Sequence, residues 1–412
     1  MTVDVDDKLR DADWLRAPGI QDVFSAVEQD GDEARAVGGA VRNTLLGHPV
    51  PDIDIATTAS PEDVMRRAGK AGLKPIGTGL DHGTITVVSH GFPYEVTTLR
   101  EDVETFGRQA RVVFGRDWQK DAMRRDFTMN ALYVDRQGRL HDPLGGLDDC
   151  LARRVRFIGD PDSRIKEDYL RILRFFRIYA AYGEGDLDPE GLGACLRQRD
   201  GLRQLSAERI GHEMRRLLRA PLAAYAVKMM NDCGLWEIAT GGLARMDDYE
   251  ALRQLDDIAP ETRDPELALV VLAGFVREDL ERVCERFRLS NAERKRIQTA
   301  WAAKKMLRQS EDVPSAALLT YSFGKQGAID GLLAIWAVDK ARGTEDADAL
   351  RDRLSLIRAQ AVPEFPLKGA DLIASGHAAG PTLGVLLKRL EGEWQESGFS
   401  LSKEQLLARS TQ

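Results

Sequence analysis

Apolar and polar positions change rhythm about a third of the way along the chain. Ala34-Arg-Ala-Val37 reads as a short strand that ends at Gly38-Gly39, with a short helix through Val41 and Leu46 behind it. Asp52-Ile-Asp-Ile-Ala56 alternates polar and apolar with period two, which predicts a half-buried strand. Ser60, Pro61, Glu62 and Asp63 then supply a cap, a first-turn proline and first-turn acids for a helix. Residues 83–88 and 94–99 predict two more strands. Residues 100–120 are polar and broken by Gly107 and Gly115, which predicts a mobile loop or a weak strand pair. From about Leu151 the alternation gives way to helical spacing over 165–182, 207–218, 266–275 and 328–340. Ser290 and Glu293 form a capping box, and Pro363, Pro366 and Gly369 mark a boundary before a last helical unit. No repeat of fixed period runs through the chain. The expected fold is α+β: a small α/β head followed by an elongated, all-helical remainder.

Composition narrows the class without naming a function. At 412 residues the chain is long for one core and predicts two to four packed units. It is 43% hydrophobic and 30% charged, as ordinary globular proteins are, with a formal net charge of −8. That charge argues against a polyanionic partner only if it is spread evenly, because local patches decide binding. Cys150, Cys195, Cys233 and Cys284 are far apart, with no metal-ligand spacing, so neither structural zinc nor a disulfide framework is expected. The opening residues are acidic, unlike a signal peptide, and the apolar run near 267–276 is too short to cross a bilayer. The expectation is a soluble, cytoplasmic protein without membrane contact.

Three clusters carry candidate chemistry. Asp52 and Asp54, two apart on a strand, project from one face and repel each other unless a cation lies between them. A hard divalent ion such as Mg²⁺, with phosphate as co-ligand, suits that pair; an acidic solvent face is the plainer alternative. The amides of Gly38 and Gly39, at a turn opening a helix, can cradle a phosphate. Glu95, on a later strand, offers a third acid of the kind a two-metal site uses. The second cluster is Glu167-Asp168-Tyr-Leu-Arg171-Ile-Leu-Arg174-Phe-Phe-Arg177, where three-residue steps place Asp168, Arg171, Arg174 and Arg177 on one drifting helical face. A surface helix with one ion pair would look the same. The chemical alternative is a base reader. Cytosine and adenine both present an amino group beside a ring-nitrogen acceptor, so Asp168 can accept from the first and Arg171 donate to the second. Guanine and uracil would leave both protein groups unpaired, which is costly when buried. Arg174 and Arg177 would face a triphosphate or an RNA backbone. The third cluster runs from Asp121 through Arg124, Arg125 and Asp126 to Asn130.

In this order the segments resemble the class II family of tRNA nucleotidyltransferases and bacterial poly(A) polymerases. Gly38-Gly-Ala-Val-Arg42 with Asp52-Ile-Asp54 is similar to the family's first motif, and Arg124-Arg-Asp-Phe-Thr-Met-Asn-Ala-Leu132 to its ribose and phosphate motif. Asp142-Pro-Leu-Gly-Gly-Leu-Asp148 resembles the linker between head and neck, Glu167-Asp-x-x-Arg171-x-x-Arg174 the base-reading motif, and 205–214 a last, structural neck motif. The resemblance implies a catalytic head at 1–140, a base-reading neck at 141–220, a body at 221–362 and a tRNA-binding tail at 363–412. It implies Mg²⁺ on Asp52 and Asp54, catalysis by these with Glu95, and nucleotide contacts from Gly38, Gly39, Arg42, Arg125, Asp126, Asn130, Asp168, Arg171, Arg174 and Arg177. It departs at Asn43, where the family usually has Asp: the amide still accepts a hydrogen bond but brings no charge.

Within the family, poly(A) polymerases carry a basic pair and an aromatic after the first motif, whereas 77–84 here is neutral to acidic. Residues 100–118 resemble the flexible loop that CCA-adding members use for the final A. Addition of CCA to tRNA from CTP and ATP is therefore the expected activity, with poly(A) addition the alternative. A small-molecule nucleotidyltransferase would not need the arginine helix or the helical remainder, and a binding module without catalysis would not need both aspartates. Arg153, Arg154, Arg156, Arg215, Arg216 and Arg219 are candidate RNA contacts.

Overall fold

A computed structural model of the chain describes residues 5–79, 83–106, 109–310, 312–341, 343 and 347–410. The segment 77–84 and the loop 100–118 each lie partly outside the described residues, at 80–82 and 107–108. The chain divides into two compact units, Met1–Ala239 and Thr240–Gln412.

In the first unit β1 (Ala34–Val37), β2 (Asp54–Thr57), β3 (Lys74–Gly79), β4 (Thr84–Ser89), β5 (Phe92–Thr98), β8 (Tyr133–Val134) and β9 (Leu140–His141) form one sheet in the order β3-β4-β5-β2-β1-β8-β9. β6 (Arg100–Phe106) and β7 (Gln109–Phe114) pair apart from it as an antiparallel hairpin, the weak strand pair that polarity at 100–120 suggested. Among the described residues only β2 and β5 run parallel, Asp54 beside Glu95 and Thr57 beside Thr98. That crossover begins with the helix Pro61–Lys70, capped where expected: Ser60 Oγ accepts the Asp63 N–H at 3.1 Å. Val37, Ala56, Leu99, Ala122, Ala131, Tyr133 and Ile158 close the core beneath the sheet. β2 starts at Asp54, not Asp52, because β1 ends opposite it at Val37 and the chain turns at Gly38. β3 and the two-residue strands β8 and β9 went unread; two residues carry no detectable period.

The expected helix over 165–182 is two helices, Pro161–Glu167 and Leu170–Tyr182. Between them Asp168 is extended (φ −153°, ψ 106°), and its Oδ1 accepts the Leu170 N–H at 3.1 Å. The short acid side chain competes with the helical ladder and takes the first amide of the second helix instead of continuing the first. Leu170–Tyr182 packs on Ala207–Leu218, whose bounds match the expected 207–218, and on Ala223–Asp232. Phe175 joins this helix to the preceding chain. Its ring stacks on Phe157 at 5.4 Å, and Phe157 meets Phe127 at 4.9 Å.

Among its described residues the regular elements of the second unit are all helices. Asn291–Gln309, opened by the Ser290 capping box, packs along Ala316–Ala341, which breaks its helical geometry at Gly324. Pro265–Ala273 is buried along its whole length. Arg296 ties the helices together, reaching Asp264 at 2.6 Å and the fully buried Asp330 at 2.8 Å. A last cluster, Leu367, Leu372, Leu390, Trp394 and Leu406, closes the C-terminal helices. Among the described residues no helix is long and apolar enough to cross a membrane.

The aromatic joint is testable. Phe175 is fully buried, so Phe175→Ala should cost about 3–5 kcal/mol of stability, read from urea unfolding. A loss below about 1 kcal/mol would mean that the stack does not hold the arginine helix in place.

Candidate active site

Gly38 ends β1 with φ +72° and ψ −114°, a conformation that favours glycine. A Cβ there would stand 3.5 Å from the Asn130 carbonyl oxygen and 3.8 Å from Arg125 Nη1, so the turn is also packed against other residues of the site. Gly39 opens the helix Gly39–Leu46 directly behind it. Asp54 begins β2, one strand over, and Asp52 precedes it outside the strand. The turn, both aspartates and Asn130 line one cleft of about 520 Å³.

The opposite wall comes from the arginine helix. Arg171, Arg174 and Arg177 all reach this cleft, so the helix is not the solvated surface element of the plainer reading. Asp126 orients two of them: Oδ1 accepts from Arg171 Nε and Oδ2 from Arg174 Nη1, each at 2.6 Å. Burial disfavours the Asp126 carboxylate, but Arg174 and Arg171 outweigh it and hold the group below the usual carboxylate range. Glu213, 3% exposed, accepts from Arg177 and lies 3.5 Å from Arg174. Arg125 is set by Asp121 at 3.1 Å and by the Tyr133 hydroxyl at 3.1 Å. Among the described residues eight arginines and three aspartates line the cleft. A chain of net charge −8 thus carries a strongly cationic hollow, which removes the objection its overall charge raised against anionic ligands.

Two candidate residues stand apart. Asp168 does not share a face with Arg171: its Oδ2 takes Arg209 at 2.6 Å, while Arg171 is held by Asp126 and Glu167. The break before Leu170 turns Asp168 off the helical face on which three-residue spacing had placed it. Glu95 lines a second hollow, of about 200 Å³, together with Asp54, Thr84 and Thr97. Asp54 belongs to both hollows and stands between them.

Asp54 is open to the cleft yet set low among protein atoms. Burial, then the charges of Glu95 and Asp52, push its carboxyl up to about 6. A divalent cation would relieve that repulsion, so the donor set fits a hard ion. Among the described residues no three His, Cys, Asp or Glu side chains close into a full cage. An ion here would complete its shell with water or ligand oxygens.

Sequence reasoning passed over Tyr182 and Arg100, which also line the cleft, as does Arg216, expected there only as an RNA contact. Tyr182 had a signal: it lies eleven residues, about three turns, beyond Arg171 on the same helical face. Arg100 had none, since its place depends on how separate elements pack. Asn43 answers the question its missing charge raised. Its Oδ1 accepts from Arg42 Nε at 3.2 Å and Nη2 at 2.9 Å, and its own amide donates to the Pro49 carbonyl at 2.7 Å. Of the candidate RNA-contacting arginines, Arg154 and Arg156 both pair with Asp149.

Comparison with known proteins places these features in context. A family described as the poly A polymerase head domain matches residues 34–156. A probable RNA and SrmB-binding site of polymerase A matches 186–247, and a putative tRNA nucleotidyltransferase domain 2 matches 264–409. The mitochondrial CCA tRNA nucleotidyltransferase 1 of Danio rerio is 33% identical over 410 residues, 98% of this chain and 93% of that protein. The CCA-adding enzyme of Levilactobacillus brevis is 29% identical over 392 residues, covering 94% and 96%. The crystal structure of the Bacillus stearothermophilus CCA-adding enzyme in complex with CTP overlays with a TM-score of 0.74 at 27% identity, covering 96% of this chain and 97% of that one.

The raised Asp54 carboxyl sets a pH dependence for metal binding. Below about 6 the group keeps its proton and competes with a cation; above it the carboxylate is free to ligate. Mn²⁺ titrated calorimetrically at pH 6 should therefore release protons, and its affinity should fall by up to about tenfold for each unit below 6. Asp54→Asn should abolish the proton release. An affinity that stays flat from pH 7 to 5 would place the ion elsewhere.

Proposed function

The chain belongs to the family of CCA-adding tRNA nucleotidyltransferases, and we propose that it adds C, C and A to the 3′ end of tRNA, without a template, from CTP and ATP. One observation carries this reading: a single cleft joins a glycine turn, a carboxylate pair and a row of fixed arginines. That combination suits a triphosphate lying between an acidic metal-holding end and a cationic wall.

In this reading Asp52 and Asp54 hold Mg²⁺, with Glu95 as the third acid of the catalytic set. Bound magnesium would activate the RNA 3′-hydroxyl and neutralise charge on the triphosphate. The amides of Gly38 and Gly39 receive phosphate oxygens, with Arg42 and Arg125 beside them. Asp126 fixes Arg171 and Arg174, and Asn130 fixes Arg42; both also lie where a ribose would pass. The larger hollow takes the nucleotide and the smaller, past Asp54, the end of the RNA. Asp168 and Arg171 read the base, accepting from the amino group and donating to the ring nitrogen of C or A. For this Asp168 must exchange Arg209 for the base, so selection is coupled to the helix that carries Arg209. Arg174 and Arg177 face the triphosphate or RNA backbone. We assign the head to 1–140, the neck to 141–220, the body to 221–362 and a tRNA-binding tail to 363–412. The four free cysteines suit a reducing compartment, which we take to be the cytoplasm.

The test is incorporation from each NTP, singly and combined, into tRNAs ending before CCA, after C and after CC. Growth should stop after the completed CCA; continued A addition would favour the poly(A) reading instead. Asp54→Ala should leave less than a few per cent of the rate while tRNA still binds. Asp168→Ala should weaken use of CTP and ATP together, by about 1–3 kcal/mol. Full preference for C and A over U and G in that variant would remove Asp168 as the reader.

A further inference from the structure

Arg42 differs from the other fixed arginines of the cleft. Arg125, Arg171, Arg174 and Arg177 each contact a carboxylate. Arg42 is more deeply placed, 6% exposed, yet among the described residues no carboxylate lies within ion-pair distance of it. Its hydrogen-bond acceptors are neutral: the Asn43 amide oxygen, taking Nε and Nη2, and the Asn130 amide oxygen, taking Nη1. Burial without a counter-charge penalises a guanidinium unless something else attracts it.

That attraction comes from an aromatic ring. The Arg42 guanidinium lies over Tyr182, its carbon 3.7 Å from the ring centroid. His48 packs edge-on to the same ring at 5.6 Å and 74°. Stacking fixes the plane of the guanidinium, and the two asparagines fix its edges. Together they define one pose.

We propose that Tyr182 is a positioning residue for the incoming nucleotide: its ring holds Arg42 against the cleft wall without neutralising it. The positive charge is then met by the ligand and not by the protein. This rests on the nucleotide cleft proposed above. A carboxylate in place of the ring would fix the group equally well but would cancel the charge that the triphosphate is to meet. The arrangement matches the sequence, since Asn43 accepts two hydrogen bonds and adds no charge. CTP and ATP share the triphosphate, so the effect of losing the ring should be the same for both.

The experiment compares Tyr182→Phe, Tyr182→Leu and Arg42→Ala in steady-state addition at saturating tRNA, with thermal melting as the control for folding. Tyr182→Phe keeps the ring and should hold both KM values within about twofold of the parent. Tyr182→Leu should raise KM for CTP and for ATP alike by about five- to tenfold, with kcat changed about twofold or less and the melting midpoint held. Tyr182 is only half-buried, so the fold should tolerate the change; if Tyr182→Leu does not melt cooperatively, Tyr182→Met supplies the same comparison. Unchanged KM values in Tyr182→Leu, with raised ones in Arg42→Ala, would overturn the role of Tyr182 and leave the cleft assignment standing. Unchanged KM values in Arg42→Ala would overturn the placement of Arg42 on the nucleotide, and the role of Tyr182 with it. Equal damage in Tyr182→Phe and Tyr182→Leu would assign the effect to the hydroxyl and overturn the role of the ring.

Discussion

Most of the guanidinium groups that crowd a cleft of about 520 Å³ are held in place by fixed negative charge inside its walls. Two like charges 4 Å apart repel by about 4 kcal/mol at an effective dielectric constant of 20. Three carboxylates solve this by serving two arginines each. Asp121 holds Arg124 and Arg125, Asp126 holds Arg171 and Arg174, and Glu213 holds Arg177 and approaches Arg174. The carboxylates sit in different stretches of chain, so the same contacts that set the arginines also connect the residues after β7 with Leu170–Tyr182 and Ala207–Leu218. Everything else in the cleft depends on that connection. Without it the glycine turn and Asp54 would face arginines of no fixed spacing, and the cleft would have no set charge pattern to match a ligand. The arginines still outnumber the aspartates that line the cleft, so a net positive field remains for an anion.

The parts legible in the sequence are those decided within four or five residues. The glycine turn, the Ser60 and Ser290 caps and the bounds 207–218 follow from local backbone and side-chain chemistry. The acid pair and the three-step arginines were legible as patterns, and the structure brings both to one cleft. The break at Asp168 was not, because Ile165, Tyr169, Ile172 and Phe176 keep a helical rhythm across it. What ends the first helix is a competition the rhythm does not record: Asp168 takes the Leu170 amide with one oxygen and Arg209, forty-one residues away, with the other. Glu95 was visible as an acid on a strand. Its place beside Asp54 depends on a parallel pairing across a helical crossover, which alternation alone does not specify. Asn43 was legible as an acceptor without charge; that its one oxygen takes two hydrogen bonds from Arg42 was not.

Stability and position are divided between different groups in this unit. Buried ion pairs pay heavily in lost hydration, so replacing such a pair with well-packed apolar residues is often neutral or stabilising. The Asp126 and Glu213 networks are therefore poor candidates for what holds the unit folded. The Phe127, Phe157 and Phe175 rings and the apolar core under the sheet serve that purpose, since each ring removes a large apolar surface from water at no cost in unmet polar groups. What the ion pairs contribute is geometry. A carboxylate shared by two guanidinium groups has few arrangements that satisfy all its partners, so it fixes the spacing of Arg171 and Arg174 more tightly than apolar packing could. Such preorganisation matters most where charge must be met at a fixed distance, because groups already in place need not reorganise when the ligand arrives. Arg42 follows the same logic by another route: its direction is fixed by neutral partners, and its charge is left for whatever enters the cleft.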